Sequence, residues 1–251
     1  MSTEAEWWEG FFSGLWLEVQ QRMWPEEQTR AQADFIERAL QLPPRARVLD
    51  VPCGEGRLAL EFASRGHQVT GVDRTLALLE DGRRKASERQ VEIAWEHRDM
   101  RDLPWHEAFD GALCWWGSFG YFDEAGDRAF VEAVSRALKP GAKFVVDTQI
   151  AETLLPAFKE RGWSRVEDIL VLQDRRYDHT RGRVDAEWTL VRGGRVETRP
   201  TSIRVYTYRE LCQQLERAGL TDCEGYGSLD CEPFRLGAPR LHLVGSKKRA
   251  K

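Results

Sequence analysis

The chain has 251 residues, of which 41% are hydrophobic and 31% are charged, and its formal net charge is -4. These values favour one globular domain with appendages and argue against disorder, collagen and small disulfide-stapled scaffolds. No apolar run approaches the roughly 18 residues that a membrane span needs, and the acidic first residues do not resemble a signal peptide. Five cysteines without a CxxC pair predict reduced thiols, a cytoplasmic location and no metal site. The near-neutral charge gives no global case for nucleic acid as a partner.

Residues 1–44 are predicted to form a helical cap. Apolar side chains within residues 8–19 recur at three- and four-residue spacing, which indicates a helix with one buried face. Trp24-Pro25 ends this helix, because a residue before proline avoids the helical region. A second amphipathic helix follows over residues 26–40. Four of the ten tryptophans lie in the cap, so its aromatic stripe must either pack on the core or close over a ligand as a lid.

Residues 45–150 alternate between short apolar runs and amphipathic segments. This alternation predicts βαβ units and a parallel sheet, which form the core of the protein. The predicted strands are 48–51, 68–73, 91–95, 109–114 and 143–147. The predicted helices are 57–64, 75–88 and 127–138, with Thr75 as the cap of the second helix.

After residue 150 the pattern changes to long alternating runs. Residues 151–206 are predicted to form an antiparallel insertion of three strands, with Gly193-Gly194 as a hairpin turn. Residues 207–246 return to the core, and residues 247–251 form a basic tail. A connection without a helix makes the last two strands antiparallel. The predicted elements are strands 166–177, 183–191 and 195–206, helix 208–218, and strands 221–226 and 240–244.

The loop at residues 53–56 is the most specific motif of the chain. It has the sequence Cys-Gly-Glu-Gly, follows a buried strand and opens a helix. Glycines there allow a tight turn and let a ligand approach the backbone closely. Asp73 ends the next strand 19 residues after Gly54, at the position and spacing of a carboxylate that binds a ribose diol. We therefore predict a nucleoside-binding site.

The loop alone does not identify which nucleoside binds. The spacing G-x-G-x-x-A that begins at Gly54 also satisfies the dinucleotide pattern, so NAD is an alternative. Asp50, just before the loop, would meet the pyrophosphate of NAD with a negative charge, whereas it suits a ligand that carries ammonium and sulfonium groups. Asp99 and Met100 end the third strand, where they are placed to meet an adenine amine.

Together these motifs resemble the class I S-adenosylmethionine-dependent methyltransferases. Residues 48–56 resemble the first motif of that family, 71–73 its ribose-binding acid and 99–100 its adenine-contacting pair, while 109–114 and 138–147 resemble its fourth and fifth strands. The resemblance implies an α/β fold with a Rossmann-like, seven-stranded, mostly parallel sheet whose last strand is reversed. It further implies S-adenosyl-L-methionine as the cofactor. The residues assigned to the cofactor are Asp50, Cys53, Gly54, Gly56, Asp73, Arg74, Asp99, Met100 and Cys114.

The methyl acceptor is expected beside the loop that follows the fourth strand, residues 114–122. Ligands bind beyond the carboxyl ends of parallel strands, and this loop carries four aromatic rings and a tyrosine that suit a flat or cationic acceptor. The insertion resembles the acceptor-covering insertion of small-molecule members of the family. The residues assigned to the acceptor are Trp16, Trp24, Trp115, Phe119, Tyr121, Arg204 and Tyr206. Tyr121 and Tyr206 are the candidate catalytic residues, and no histidine has a partner that would make it a general base.

The sequence therefore predicts a cytoplasmic, monomeric or homodimeric enzyme that transfers the methyl group of S-adenosylmethionine to N or O of a small molecule. One alternative is a methyltransferase of RNA or protein, because residues 175–209 hold nine arginines against four acids. Solvated arginines on the outer face of the insertion explain the same excess. A second alternative is an NAD-dependent oxidoreductase, and a third is a cofactor-binding protein without turnover.

Overall fold

A seven-stranded sheet forms the centre of the computed structural model, which describes residues 6–249. Its strands are β1 (Arg47–Asp50), β2 (Gln68–Asp73), β3 (Ile93–His97), β4 (Phe109–Cys114), β5 (Leu138–Thr148), β10 (Leu220–Tyr226) and β11 (Leu241–Lys247). The strand order is β10-β11-β5-β4-β1-β2-β3. All neighbouring strands are parallel except that β11 runs antiparallel to both β5 and β10. This topology confirms the Rossmann-like sheet with a reversed last strand.

Three strands of this sheet differ from the sequence-based expectation by two residues or more at one or both ends. β3 lies two residues later than predicted, and β11 continues to Lys247. β5 begins at Leu138, before the Pro140-Gly141 pair, because Leu138 already pairs with Phe109 ahead of a register shift. Residues 1–5 of the predicted cap and 250–251 of the predicted tail lie outside the described range.

Helices cover both faces of the sheet, as two buried clusters show. One cluster joins β4 and β5 to the helices over residues 124–137 and 208–217, and the other joins β1 to the helices over residues 26–40 and 57–64. The helices are α1 (Trp8–Phe11), α2 (Leu15–Arg22), α3 (Glu26–Leu40), α4 (Arg57–Ser64), α5 (Leu76–Glu88), α6 (Glu124–Ala137), α7 (Ala151–Leu154) and α8 (Tyr208–Arg217). Each fully buried Leu or Phe stabilises this arrangement by about 1.5–3 kcal/mol. Within residues 6–249, no helix has the length and apolarity to cross a bilayer.

The insertion is a four-stranded antiparallel sheet, whereas the sequence predicted three strands. Its strands are β6 (Arg161–Val166), β7 (Ile169–Asp178), β8 (Arg183–Arg192) and β9 (Arg195–Arg204). The additional strand, β6, lies at the sheet edge, where Trp163 is 71% exposed. An edge strand is largely exposed to solvent, and the residues of β6 do not alternate between apolar and polar. The sequence pattern therefore did not predict this strand. The Gly193-Gly194 hairpin is confirmed, with Arg192 paired to Arg195.

The aromatic cap begins with two short helices, where the sequence predicted one helix over residues 8–19. The break lies at Gly14, which has a φ of 57° and a ψ of -134°. A side chain at this position would collide with the carboxylate of Glu197 on β9. Instead, Glu197 accepts a hydrogen bond from the Leu15 N–H at 3.1 Å and caps α2. The insertion therefore determines where the cap helix breaks, which is a tertiary contact that local spacing does not encode.

Candidate active site

Two adjoining pockets lie at the carboxyl edge of the parallel strands. The glycine-loop pocket, with an empty volume of about 960 Å³, lies among the loops after β1, β2 and β3. The aromatic cavity, with about 1410 Å³, lies between the cap and the inner face of the insertion. Phe12, Trp116 and Tyr121 line both pockets, so these three side chains form the boundary between them.

The glycine loop turns sharply between β1 and α4. Gly54 and Gly56 have φ values of 58° and 77°, a backbone conformation that residues other than glycine rarely adopt. Gly54 lines the glycine-loop pocket, and its N–H donates to the Asp73 carboxylate at 2.8 Å. Gly56 lines neither pocket. It makes room for the Trp95 ring, which a Cβ at this position would overlap.

Asp73 stands at the end of β2 and joins two loops of the pocket. One carboxylate oxygen accepts from Gly54 N–H, and the other accepts from Thr75 N–H at 2.8 Å. Burial raises the pKa of Asp73 despite these hydrogen bonds. A carboxylate has about four lone-pair sites, so two remain for hydroxyl donors of a ligand in the pocket. Thr75 precedes α5, but its side chain does not cap that helix as predicted.

Asp50 is a buried carboxyl group at the end of β1 that lines the same pocket. Burial raises its pKa to about 8, although the nearby Arg57 lowers it in part. The Arg57 guanidinium is held in place by Thr29 and Gln32, at 2.9 and 2.7 Å, and stacks on the Trp24 ring. Near neutral pH the Asp50 carboxyl group is therefore mostly protonated, and a bound ligand cation would lower its pKa and favour the ionised form.

Asp99 and Met100 lie at the far end of this pocket, after β3. Arg101 binds the Asp99 carboxylate through its side chain and backbone N–H, and Arg74 adds a hydrogen bond at 3.0 Å. Although burial opposes ionisation, these donors hold the pKa of Asp99 below its usual value. Arg74 also donates to Glu9 of α1 at 2.6 Å. The cap is thus tied to the rim of the pocket.

The two cysteines assigned to the cofactor occupy different environments. Cys53 lines the glycine-loop pocket, and burial raises the pKa of its thiol well above the usual value. Cys114 lines neither pocket, because it is fully buried in the cluster beneath α6 and α8. Both side chains are therefore neutral thiols, and Cys114 supports the pocket from below.

The loop after β4 forms the floor between the pockets. Trp115 lines the glycine-loop pocket and stacks on His242, with ring centroids 5.1 Å apart. Trp116 has a φ of 63°, and its N–H donates to Asp147 at 2.8 Å. Asp147 also accepts two hydrogen bonds from Arg240. A buried carboxylate at the end of β5 thus holds the strained turn in place.

The acceptor residues predicted from sequence separate into two groups. Trp16 lines the aromatic cavity, Trp24 and Trp115 line the glycine-loop pocket, and Tyr121 lines both. Phe119, Arg204 and Tyr206 line neither pocket.

Strand alternation explains why Arg204 and Tyr206 line neither pocket. Ile203 and Val205 point into the aromatic cavity, so Arg204 and Tyr206, which follow them in the chain, face away. The Tyr206 hydroxyl donates to the buried Asp127 carboxylate at 2.8 Å, and the Phe119 ring packs on Tyr206. Tyr121 is consequently the one of the two candidate catalytic tyrosines that reaches a pocket. Burial raises the pKa of its phenol well above the usual value.

Two contacts that the sequence did not indicate shape the site. Gln20 of α2 donates to Glu55 of the glycine loop at 2.7 Å, which places the cap against the motif. Arg183 of β8 donates to the backbone carbonyls of Tyr121 and Phe122, at 3.0 and 2.7 Å. No local pattern pairs these residues, because each contact joins segments that are distant in the chain.

Comparison with known proteins shows a partial sequence match and a shared fold. Residues 48–141 match the family described as a methyltransferase domain. The ubiquinone biosynthesis O-methyltransferase of Alkalilimnicola ehrlichii is 33% identical over 118 residues, which cover 46% of each chain. The demethylmenaquinone methyltransferase of Deinococcus radiodurans is 36% identical over 111 residues, covering 43% of this chain and 44% of that protein. The chain thus spans about half the length of the curated relatives it matches.

Solved structures extend the likeness to the whole fold. An S-adenosylmethionine-dependent methyltransferase from Clostridium acetobutylicum superimposes with a TM-score of 0.79 and 17% identity, over 88% of this chain and 92% of that one. A sugar N-methyltransferase from a Streptoalloteichus species gives a TM-score of 0.71 and 22% identity, over 94% of both chains. Residues 48–141 thus match the methyltransferase domain family, and the chain has the fold of solved S-adenosylmethionine-dependent methyltransferases.

Proposed function

We propose that the protein transfers the methyl group of S-adenosylmethionine to N or O of a small-molecule acceptor. One observation carries the proposal. The glycine-loop pocket adjoins a second, aromatic cavity, and Phe12, Trp116 and Tyr121 border both. A cofactor in the first pocket would therefore be next to an acceptor in the second. The similar proteins include one named as an O-methyltransferase and one named as a sugar N-methyltransferase, which supports oxygen and nitrogen as possible acceptor atoms.

The residues of the glycine-loop pocket suit this cofactor. Asp73 has lone pairs left for a ribose diol, and Asp50 suits the ammonium group of the methionine moiety. Gln20 lines the pocket, and its side-chain oxygen is buried and has no hydrogen-bond partner among residues 6–249. An unpaired buried oxygen favours a ligand that carries N–H donors. Asp99 and Met100 are proposed to contact the adenine.

The protein contributes positioning more than acid-base chemistry. When bound, S-adenosylmethionine supplies an electrophilic methyl group. Holding the nucleophile in line at about 3 Å accounts for much of the acceleration in such a transfer. Among the described residues that line the aromatic cavity there is no Asp, Glu or His, and Tyr121 holds its proton. An acceptor that needs no base, such as a neutral amine or an ionised hydroxyl, therefore fits best.

The arginines of the insertion favour a small molecule over RNA. Most of them meet carboxylates of the protein itself, for example Arg181 with Asp178 and Arg192 with Glu18. Such pairing leaves less free positive charge for phosphates than the residue count suggests. The NAD alternative gains no support, because Asp73 and Asp99 line the same pocket as Asp50 and would face the negative charge of a pyrophosphate.

Calorimetric titration with S-adenosylmethionine, S-adenosylhomocysteine and NAD tests the cofactor assignment. We expect micromolar binding of the first two and none of NAD, because the pocket presents carboxyl groups to a cationic ligand. Methyl transfer from labelled cofactor to a library of small amines and phenols then tests turnover. Tight NAD binding without binding of S-adenosylhomocysteine would overturn the proposal, and cofactor binding without any turnover would favour a silent binding protein.

Cofactor affinity is expected to rise with pH between 6 and 8. Asp50 has a pKa of about 8 in the free protein, so it carries a proton at pH 7. Because the ligand ammonium requires the ionised form, binding at pH 7 releases close to one proton, and affinity grows up to about tenfold per pH unit until pH 8. Calorimetry in buffers of different ionisation enthalpy measures that proton. Asp50→Asn, which cannot ionise, should show a flat profile, and a slope that persists in this variant would contradict the assignment.

We also propose a cytoplasmic location, since all five cysteines are free thiols. The monomeric or homodimeric state stays a prediction from the sequence, which sedimentation measures directly.

A further inference from the structure

The insertion forms one wall of the aromatic cavity. The inner face of the insertion supplies Gln173 and Arg175 from β7 and Trp188 from β8. Gln173 pairs with Trp188 in the sheet, so these side chains stand side by side on the cavity wall. The cap closes the opposite side with Trp7 and Trp16. Flat aromatic surfaces and one guanidinium therefore face the same space.

Arg175 is a cation without an acidic partner on this wall. Its guanidinium donates to the carbonyl of Lys159, at 3.0 and 2.7 Å, and stacks on Phe158. Among residues 6–249, no carboxylate lies within ion-pair distance of it, and burial alone lowers its pKa. A guanidinium has five N–H donors in a fixed fork. Two are used here, so donors remain for a ligand.

The electrostatics of the cavity depend on this residue. The other arginine in its lining, Arg240, is bound through two hydrogen bonds by the buried Asp147. Within the part of the chain that the structure describes, no lining residue is acidic, so Arg175 leaves the cavity with an uncompensated positive charge. Trp16 adds a buried indole N–H that has no hydrogen-bond partner among the same residues. The unpaired N–H donors of the Arg175 guanidinium and of the Trp16 indole favour a ligand with oxygen acceptors.

We propose that the methyl acceptor of this protein is a flat molecule that carries an anionic group, a carboxylate or a phosphate, which Arg175 binds. This inference rests on the proposed function, because it assigns the second pocket to the acceptor. The aromatic walls bind the ring, Arg175 binds the anion at the insertion side, and the reacting atom points toward Tyr121. It replaces the cationic acceptor that the aromatic rings of residues 114–122 suggested, since the described residues of the cavity lining offer no carboxylate to a cation.

Binding of matched probes to the protein loaded with S-adenosylhomocysteine tests this proposal. The probes are benzoate and phenyl phosphate, each an anion, against benzamide and benzylamine, which have the same ring. We expect at least one anion to bind about tenfold or more tightly than benzamide, with benzylamine weakest. The stronger of the two anions identifies carboxylate or phosphate as the group. Equal affinities, preference for benzylamine, or no binding of either anion at millimolar concentration overturns the proposal.

Two variants locate the effect. Arg175→Gln should reduce the preference for the anion to about twofold or less, with unchanged affinity for S-adenosylhomocysteine. Arg176→Gln, on the same strand with a side chain that is 77% exposed, should retain the full preference. A preference that survives in Arg175→Gln refutes the role of this residue. If S-adenosylhomocysteine itself does not bind, the proposed function fails, whereas cofactor binding without anion preference removes only the acceptor inference.

Discussion

Asp73→Ala is expected to lower the affinity for S-adenosylhomocysteine by about a hundredfold or more. The carboxylate is proposed to accept both ribose hydroxyls, and hydrogen bonds to a charged group contribute about 1.5–3 kcal/mol each. The substitution also removes the acceptor of the Gly54 and Thr75 N–H groups, which loosens the glycine loop. Calorimetric titration measures the loss, and thermal unfolding shows whether the variant folds.

Two control variants separate the ribose contact from a general charge effect. Asp102→Ala removes a carboxylate that is 78% exposed in the loop after β3, and it should bind as the native protein does. Asp73→Asn keeps one acceptor oxygen and the shape of the side chain, so its affinity should fall between those of the native protein and Asp73→Ala. An unchanged titration for Asp73→Ala refutes the ribose role.

Arg183→Met is expected to lower the free energy of unfolding by about 3 kcal/mol and also to lower the rate of methyl transfer by the folded enzyme. Arg183 reaches from β8 to the loop that carries Tyr121, where it binds the carbonyls of Tyr121 and Phe122. It also donates to the Ser202 hydroxyl at 2.9 Å, and burial lowers the pKa of its guanidinium. Methionine fills a similar volume but leaves these acceptors unpaired, so the boundary between the two pockets loses its support.

Urea unfolding and steady-state kinetics measure the two effects. Arg161→Met serves as the control, because its side chain is 86% exposed on the edge strand and it should unfold at the native urea concentration. For Arg183→Met, a fall in kcat with a smaller change in cofactor affinity identifies a positioning residue. A native urea midpoint together with native kcat would show that the loop holds its position without this arginine.

The motifs that the sequence revealed are those whose geometry is local. A strand, a glycine turn and a helix within residues 47–64 form one unit, and the carboxyl ends of parallel strands meet at one edge. Asp50, Gly54, Asp73 and Asp99 could therefore be placed around one pocket before the fold was known. The reversed terminal strand followed from a connection that contains no helix.

Other assignments depend on packing between distant segments. The family resemblance assigns Gly56 to the cofactor, but Gly56 lines neither pocket and the Trp95 ring takes the space beside it. Arg204 and Tyr206 are predicted to meet the acceptor, yet the face of the strand that meets the cavity depends on how the insertion sits on the core, and Val205 faces it instead.

Local pattern is enough to predict the order of the core elements, the glycine loop and the acids that follow β1, β2 and β3, since each depends on neighbours within one βαβ unit. Contacts between distant segments decide three other features: the break between α1 and α2 at Gly14, the support that Arg183 gives to the loop of Tyr121, and the position of Arg175 away from every carboxylate of residues 6–249. These features arise where the cap, the core and the insertion meet. The charge and shape of the site between these three parts depend on residues that are far apart in the chain, so local sequence patterns do not predict them.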